Sequence, residues 1–206
     1  MTKKTGLNPR KKPLQKRSQE TVDAILTAAT QILGNVGFEV ASTNRIAEKA
    51  GVSIGSLYQY FPSKEALAGA LIDKYVQWHA DKFESFLIEM RGRPAREMVQ
   101  KISEKTVEMY LGNRKLLHVM GMLIPKIERI PSVVQARRRI VGVLATELRA
   151  RQTDVPHADP ELASFVILNS AMGVIQFILY DPEMKVDNQK LADELAKMTL
   201  GYLGID

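Results

Sequence analysis

Residues 43 to 61 read Thr-Asn-Arg-Ile-Ala-Glu-Lys-Ala-Gly-Val-Ser-Ile-Gly-Ser-Leu-Tyr-Gln-Tyr-Phe, and the side chains here with chemistry to offer are hydroxyls and amides. Ile46 and Ala50 give a first short helix an inward stripe, and the small Ala47 lets a second helix cross it closely. Gly51 stands where the chain must turn sharply, a position suited to a positive φ, and Val52 and Leu57 continue the apolar side. On the outer face remain Ser53, Ser56, Tyr58, Gln59 and Tyr60, groups able to bond phosphate oxygens and base edges in a major groove. Gln59 and Asn44 each carry the amide that reads adenine N6 and N7, Ile54 can meet a thymine methyl, and Arg45 can reach a guanine or a phosphate. Gly55 has no side chain to read with; it lets the backbone lie close to DNA at a cost in helix propensity. An ordinary helical hairpin with a glycine turn is the plainer reading of the same pattern.

Such a pair of helices needs support. Upstream, Val22, Ile25, Leu26, Ala29, Ile32, Leu33 and Val36 follow the i, i+3, i+4, i+7 spacing of an amphipathic helix closed by Gly37 and Phe38. Downstream, Ser63 suits an N-cap, and Glu65 complements the positive end of a new helix. The whole run, ILTAATQILGNVGFEVASTNRIAEKAGVSIGSLYQYFPSKEALAGALIDKY, resembles the TetR-type family of bacterial transcriptional regulators. The Gly-Phe after the first helix, the Leu-Tyr-x-Tyr-Phe and the Ser-Lys-Glu-x-Leu stand at that family's spacing. The resemblance implies that Thr43, Tyr58 and Tyr60 contact phosphates and that Lys64 grips the DNA backbone. It also places Asn44, Ile54, Gly55, Ser56 and Gln59 near base edges.

Charge is distributed unevenly. The chain has 206 residues and a formal net charge of +6. The first seventeen residues hold Lys3, Lys4, Arg10, Lys11, Lys12, Lys16 and Arg17 and no acid, so the remainder is close to neutral. With Gly6, Pro9 and Pro13 among them, these residues are expected to form a disordered basic arm, either following the DNA backbone or serving only as a solvated tail. The absence of cysteine removes disulfides and thiolate chemistry. The N-terminus shows no apolar core of a secretory signal, which points to a cytoplasmic protein, associated with the nucleoid when bound to DNA. The longest apolar stretch, 164 to 180, is interrupted by Asn169, Ser170 and Gln176 and is short for a membrane span, so no membrane partner is expected.

Two other chemistries fail on context. Gly51-Val52-Ser53-Ile54-Gly55 fits the G-x-S-x-G nucleophile elbow, but that motif requires a buried strand before it, and 45 to 50 are helix-periodic. His79, His118 and His157 lack ligand spacing with one another, so neither a metal site nor a cofactor is expected, and the chain is not read as an enzyme.

Beyond about residue 75 the pattern stays helical, with breaks at 92 to 94, 112 to 113, Pro125, Pro131, Pro156, Pro160 and 181 to 182. Helices are predicted over 63–90, 94–111, 114–128, 131–151, 159–180 and 187–203. The expected fold is therefore all-α with about nine helices: a basic arm (1–17), a helix-turn-helix domain (18–65) and an effector-binding and dimerisation domain (66–206). The helix at 159–180 is apolar on most of its circumference and needs cover on both sides. Phe165, Met172 and Phe177 on it, with Leu191, Leu195, Met198 and Tyr202 on the last helix, are expected to pair with their copies in a second subunit as a four-helix interface, as the family does. Two reading helices about a two-fold axis then require a pseudo-palindromic operator with half-sites roughly 10 bp, or a multiple, apart.

The resemblance also implies an effector cavity in the C-terminal domain. Candidate linings are Trp78, Phe86, Met109, Tyr110, His118 and Met122, with Asn169, Met172 and Gln176 from the apolar helix. The plainer reading makes the Met and aromatic residues core and turns the two amides to the dimer seam. The expected function is a dimeric, sequence-specific DNA-binding regulator acting as a repressor, released from double-stranded operator DNA by an apolar small molecule. The alternative is a DNA-binding dimer controlled by a protein partner or by abundance.

Overall fold

In the computed structural model the described residues are 16–151, 153, 155, 159–181 and 183–205. They form nine α-helices and no strand: α1 Lys16–Val40, α2 Thr43–Ala50, α3 Ile54–Tyr60, α4 Lys64–Glu89, α5 Ala95–Leu111, α6 Arg114–Leu123, α7 Ile130–Ala150, α8 Pro160–Tyr180 and α9 Asn188–Leu203. The boundaries follow local chemistry. Gly37, at φ 77° and ψ 173°, breaks α1 before its last three residues. Gly51, at φ 67° and ψ 30°, ends α2 in the left-handed conformation a side chain would strain, and its N–H bonds the carbonyls of Ala47 and Glu48. Asp159 and Asp187 cap α8 and α9 through their carboxylates. The sixth helix is shorter than its predicted 114–128: it stops at Leu123, two residues before Pro125, which supplies no N–H to continue the ladder.

The chain divides into two compact units. The first comprises residues 1–76 and 115–132, the second 77–114 and 133–206. This differs from the expected division after residue 65, because most of α6 joins the first unit and α4 runs unbroken from one unit into the other. The first unit is built on the predicted stripe: Ile25, Leu26, Ala29, Ile32 and Leu33 of α1 are buried, as are Ile46 and Ala47 of α2, Leu57 of α3, and Phe61 and Leu67.

In the second unit α5, α8 and α9 pack together. Val107 of α5 lies against Ala192 and Leu195 of α9, and Val99 against Ala196 and Leu200. Arg114 takes the carbonyls of Ile178, Asp181 and Met184, so the end of α8, which has no helical donors left, is satisfied by a guanidinium. By length and composition α8 can cross a membrane, which corrects the expectation that this stretch is too short; the helix begins at Pro160 and has 21 residues. Its buried side, with Ser164, Leu168, Met172, Ile175 and Leu179, belongs to the core of this unit.

Candidate nucleic-acid interface and ligand cavity

The α2–α3 hairpin presents most of the predicted reading residues to solvent. Asn44, Arg45, Ser53, Ile54, Gly55, Tyr58 and Gln59 are exposed, and Thr43, Ser56 and Tyr60 are half-buried. Several of these polar groups are engaged within the chain. Ser53 caps α3: its Oγ accepts the Ser56 N–H at 3.0 Å and lies 2.8 Å from Ser56 Oγ. Thr43 Oγ1 and Tyr58 Oη share a hydrogen bond of 3.0 Å, which ties the start of α2 to the middle of α3. The side chains of Asn44, Arg45 and Gln59 show no such bond among the described residues. Ser53 is thus a helix cap preceded by a helix and a turn, where a nucleophile elbow would require a strand.

Lys64, expected to grip the DNA backbone, is bonded within the chain. Its ammonium donates to the carbonyls of Phe38 at 2.7 Å, Ala41 at 3.1 Å and Glu39 at 3.4 Å, and lies 4.4 Å from the centre of the Phe38 ring. In the basic arm, Lys16 and Arg17 are the first residues of α1, while Arg10, Lys11 and Lys12 lie outside the described residues.

The second unit holds a cavity of about 70 Å³. Apolar walls come from Phe83 of α4, Met98, Val99 and Ile102 of α5, Leu144 and Leu148 of α7, Ile167 and Leu168 of α8, and Leu195 and Leu203 of α9. Among its polar linings, Thr106 and Thr199 bond back to their own helices, at Ile102 O and Leu195 O. Glu147, only 5% exposed, accepts from Arg91 Nε at 2.6 Å, and Arg151 donates to Arg93 O. Ser164 is different: it is wholly buried, lines the cavity, and its Oγ has no partner.

None of the nine residues expected to line an effector pocket lines this cavity. Trp78, Met122 and Gln176 are exposed, while Phe86, Met109, Tyr110, His118 and Asn169 are half-buried. Met172 is core. The amides of Asn169 and Gln176 bond to Phe165 O and Tyr180 Oη on the outer side of α8, the side that carries Phe165 and Phe177. On that outer side Phe165 and Phe177 are 56% and 65% exposed, and Met198 and Tyr202 of α9 are exposed too. Met172 and Leu195, expected at the dimer seam, turn inward instead, and Leu191 is half-buried against the α5–α9 core. The signal that could have located the cavity was the set of small hydroxyl residues Ser103, Thr106, Ser164 and Thr199 on helices otherwise lined with aliphatics.

A two-helix reading head packed on α1, continued among the described residues by an all-α second unit, defines a helix-turn-helix DNA-binding protein. The family model for bacterial regulatory proteins of the tetR family matches residues 25–71, and that for the tetracyclin repressor-like C-terminal domain matches 94–203. The chain belongs to the TetR family of transcriptional regulators. It is 26% identical over 167 residues to the uncharacterized HTH-type regulator YdgC of Bacillus subtilis, covering 80% of this chain and 82% of that one. It is 32% identical over 85 residues to the A-factor receptor protein of Streptomyces griseus, covering 41% of this chain but only 28% of the relative's length. The fold matches a TetR-family regulator from Mesorhizobium loti with a TM-score of 0.75 at 20% identity, over 91% of this chain and 98% of that one.

Proposed function

We propose that the protein is a homodimeric repressor that leaves a pseudo-palindromic operator when a small, largely apolar and uncharged effector enters the second unit. The observation that carries this reading is the apolar cavity with the partnerless hydroxyl of Ser164 on its wall. Leaving a buried hydroxyl unpaired costs about 1–3 kcal/mol, a cost a ligand with one hydrogen-bonding group would remove. The one acidic group on the wall, Glu147, is paired with Arg91, and the Arg151 guanidinium donates to the Arg93 carbonyl at an exposed position, so the buried wall offers a charged ligand no unpaired counter-charge.

At about 70 Å³ the cavity admits only a few heavy atoms. A larger effector must part the surrounding helices, so it binds an expanded state in preference to the closed one. The unbroken α4 begins beside the reading head and supplies Phe83 to the cavity wall, so operator and effector act on one element. The exposed faces of α8 and α9 support pairing of two copies as a four-helix interface, in the cytoplasm where the DNA is. Repression needs no further surface, because a dimer seated on a promoter excludes polymerase by occupancy.

The test is release of a fluorescent operator duplex by a panel of uncharged apolar compounds bearing one hydroxyl, carbonyl or lactone group. At least one should release it, and Ser164→Ala should weaken that compound about tenfold while stabilising the free protein. Operator binding indifferent to every compound, and unchanged in a cavity-filling Ser164→Leu variant, would instead favour control by a partner or by abundance.

A further inference from the structure

We propose that the corner between α4 and α5 is the door through which an effector reaches the cavity of the second unit, and that Arg91 and Arg151 hold it shut. This rests on the reading of that cavity as the effector site. One end of the cavity is bounded by Ala95, the first residue of α5, and by Glu147 and Arg151 at and just past the end of α7. Over them runs the corner, Arg91 to Pro94, whose four residues are all exposed. Arg91 Nε donates to Glu147 Oε1 at 2.6 Å, and Arg151 Nη1 donates to the carbonyl of Arg93 at 2.8 Å. Two bonds, one donated from each side, therefore fasten the corner to residues of the cavity wall.

The cost of opening singles out this end. Elsewhere the wall is closed by aliphatic packing: Val99 lies against Ala196 and Leu200, and Leu148 packs in one cluster with Ala163 and Leu203. Parting the helices there exposes apolar surface, and water replaces none of the lost contact. At the corner the two bonds exchange for bonds to water, and the Arg91 side chain is already 55% exposed. Gly92, at φ 78°, supplies a joint with no side chain to carry. The corner also closes again. Glu147 is buried, and with Arg91 swung away and the cavity dry its carboxylate would stand uncompensated, so the shut state is the one in which that charge is paired. An uncharged effector needs no acid on an otherwise apolar wall; Glu147 is there as the seat of the latch.

The chain has no cysteine, so Ser164→Cys places a single thiol on the cavity wall. The rate at which methyl methanethiosulfonate, small and uncharged, labels that thiol in the full-length protein reads how often the cavity is open. Adding Arg91→Ala should quicken labelling about tenfold or more, beyond any change that denaturant melts assign to global stability. The control is Arg139→Ala, which removes another link between α7 and α4, to Asp81 and Glu84, about two turns along α7 from Glu147. It should leave the rate unchanged. Labelling unmoved by Arg91→Ala would overturn the proposal. So would labelling quickened alike by both variants, because the helices would then be parting along their length. If Ser164→Cys does not fold, Ser103→Cys on the same wall serves in its place. Neither operator nor effector enters the measurement, so its failure leaves the effector reading to the operator-release test, and failure there leaves the route into the cavity standing.

Discussion

Gly55→Ala should strengthen the fold and weaken the operator complex at once. Gly55 is the second residue of α3, and a Cβ built on it meets only Ser53 Oγ, at 3.9 Å, an ordinary van der Waals distance. Nothing inside the protein therefore requires glycine there. Its backbone is helical, so alanine gains the propensity that glycine forfeits, about 0.5–1 kcal/mol. For a chain of this size that raises the melting midpoint by roughly 1–4 °C. The same methyl projects from the exposed face of a helix that is to lie in a major groove. If the backbone at Gly55 approaches a phosphate or base edge, one added carbon pushes α3 outward and costs the bonds made by Gln59 and its neighbours, about 1.4 kcal/mol or more, which is tenfold in affinity. Thermal melting read with operator anisotropy separates the two effects. A variant that melts higher and binds operator as tightly as the parent would show that α3 does not enter the groove by its N-terminal turn.

Three further outcomes are expected. Gln59→Ala should abolish preference at a single base position per half-site, at about 1–3 kcal/mol, when binding is scanned over all single-base operator variants; uniform weakening at every position would remove Gln59 from the reading set. His79 is buried and desolvation lowers its pKa from 6.5 to about 4, so the fold excludes a proton that the unfolded chain binds. Stability from this group is complete above pH 6.5 and is lost as pH falls towards 4, by at most about 3 kcal/mol; denaturant melts of His79→Phe across that range should lack this loss. Phe177→Glu places a charge on the most exposed aromatic of α8, and sedimentation should show a folded monomer with only half-site affinity for operator; a persistent dimer would move the interface elsewhere.

The reading head was legible because its determinants are local. Glycines at 37 and 51 set the breaks, the stripe from Ile25 to Leu33 has one period throughout, and Ser53, Ile54 and Gly55 open α3 as the pattern implies. What escaped was whatever depends on partners distant in sequence. Asn169 and Gln176 lie seven residues apart and so share a face of α8, but a helix apolar on most of its circumference does not reveal which face is covered; they lie outside, beside Phe165 and Phe177. Choosing Met and aromatic residues as cavity linings selected side chains that fill space. The actual void is bounded by aliphatics and by small residues such as Ser103 and Ser164, which leave room.

Lys64 belongs to the same class, since its partners stand 23 to 26 residues upstream and only the fold brings them within 3.4 Å. Its recruitment changes the chemistry of the interface. With Ser53 and Ser56 bonded at the cap, Thr43 bonded to Tyr58 and Lys64 bonded to carbonyls, Asn44, Arg45 and Gln59 are the polar side chains expected to reach bases that keep no internal bond among the described residues. Two of these are amides that suit adenine and one is a guanidinium that suits guanine. Discrimination should therefore concentrate at the few base pairs those three can reach. The hydroxyls of Thr43, Ser53, Ser56 and Tyr58, each keeping a lone pair after its internal bond, hold the hairpin rigid and meet the phosphates only as it docks.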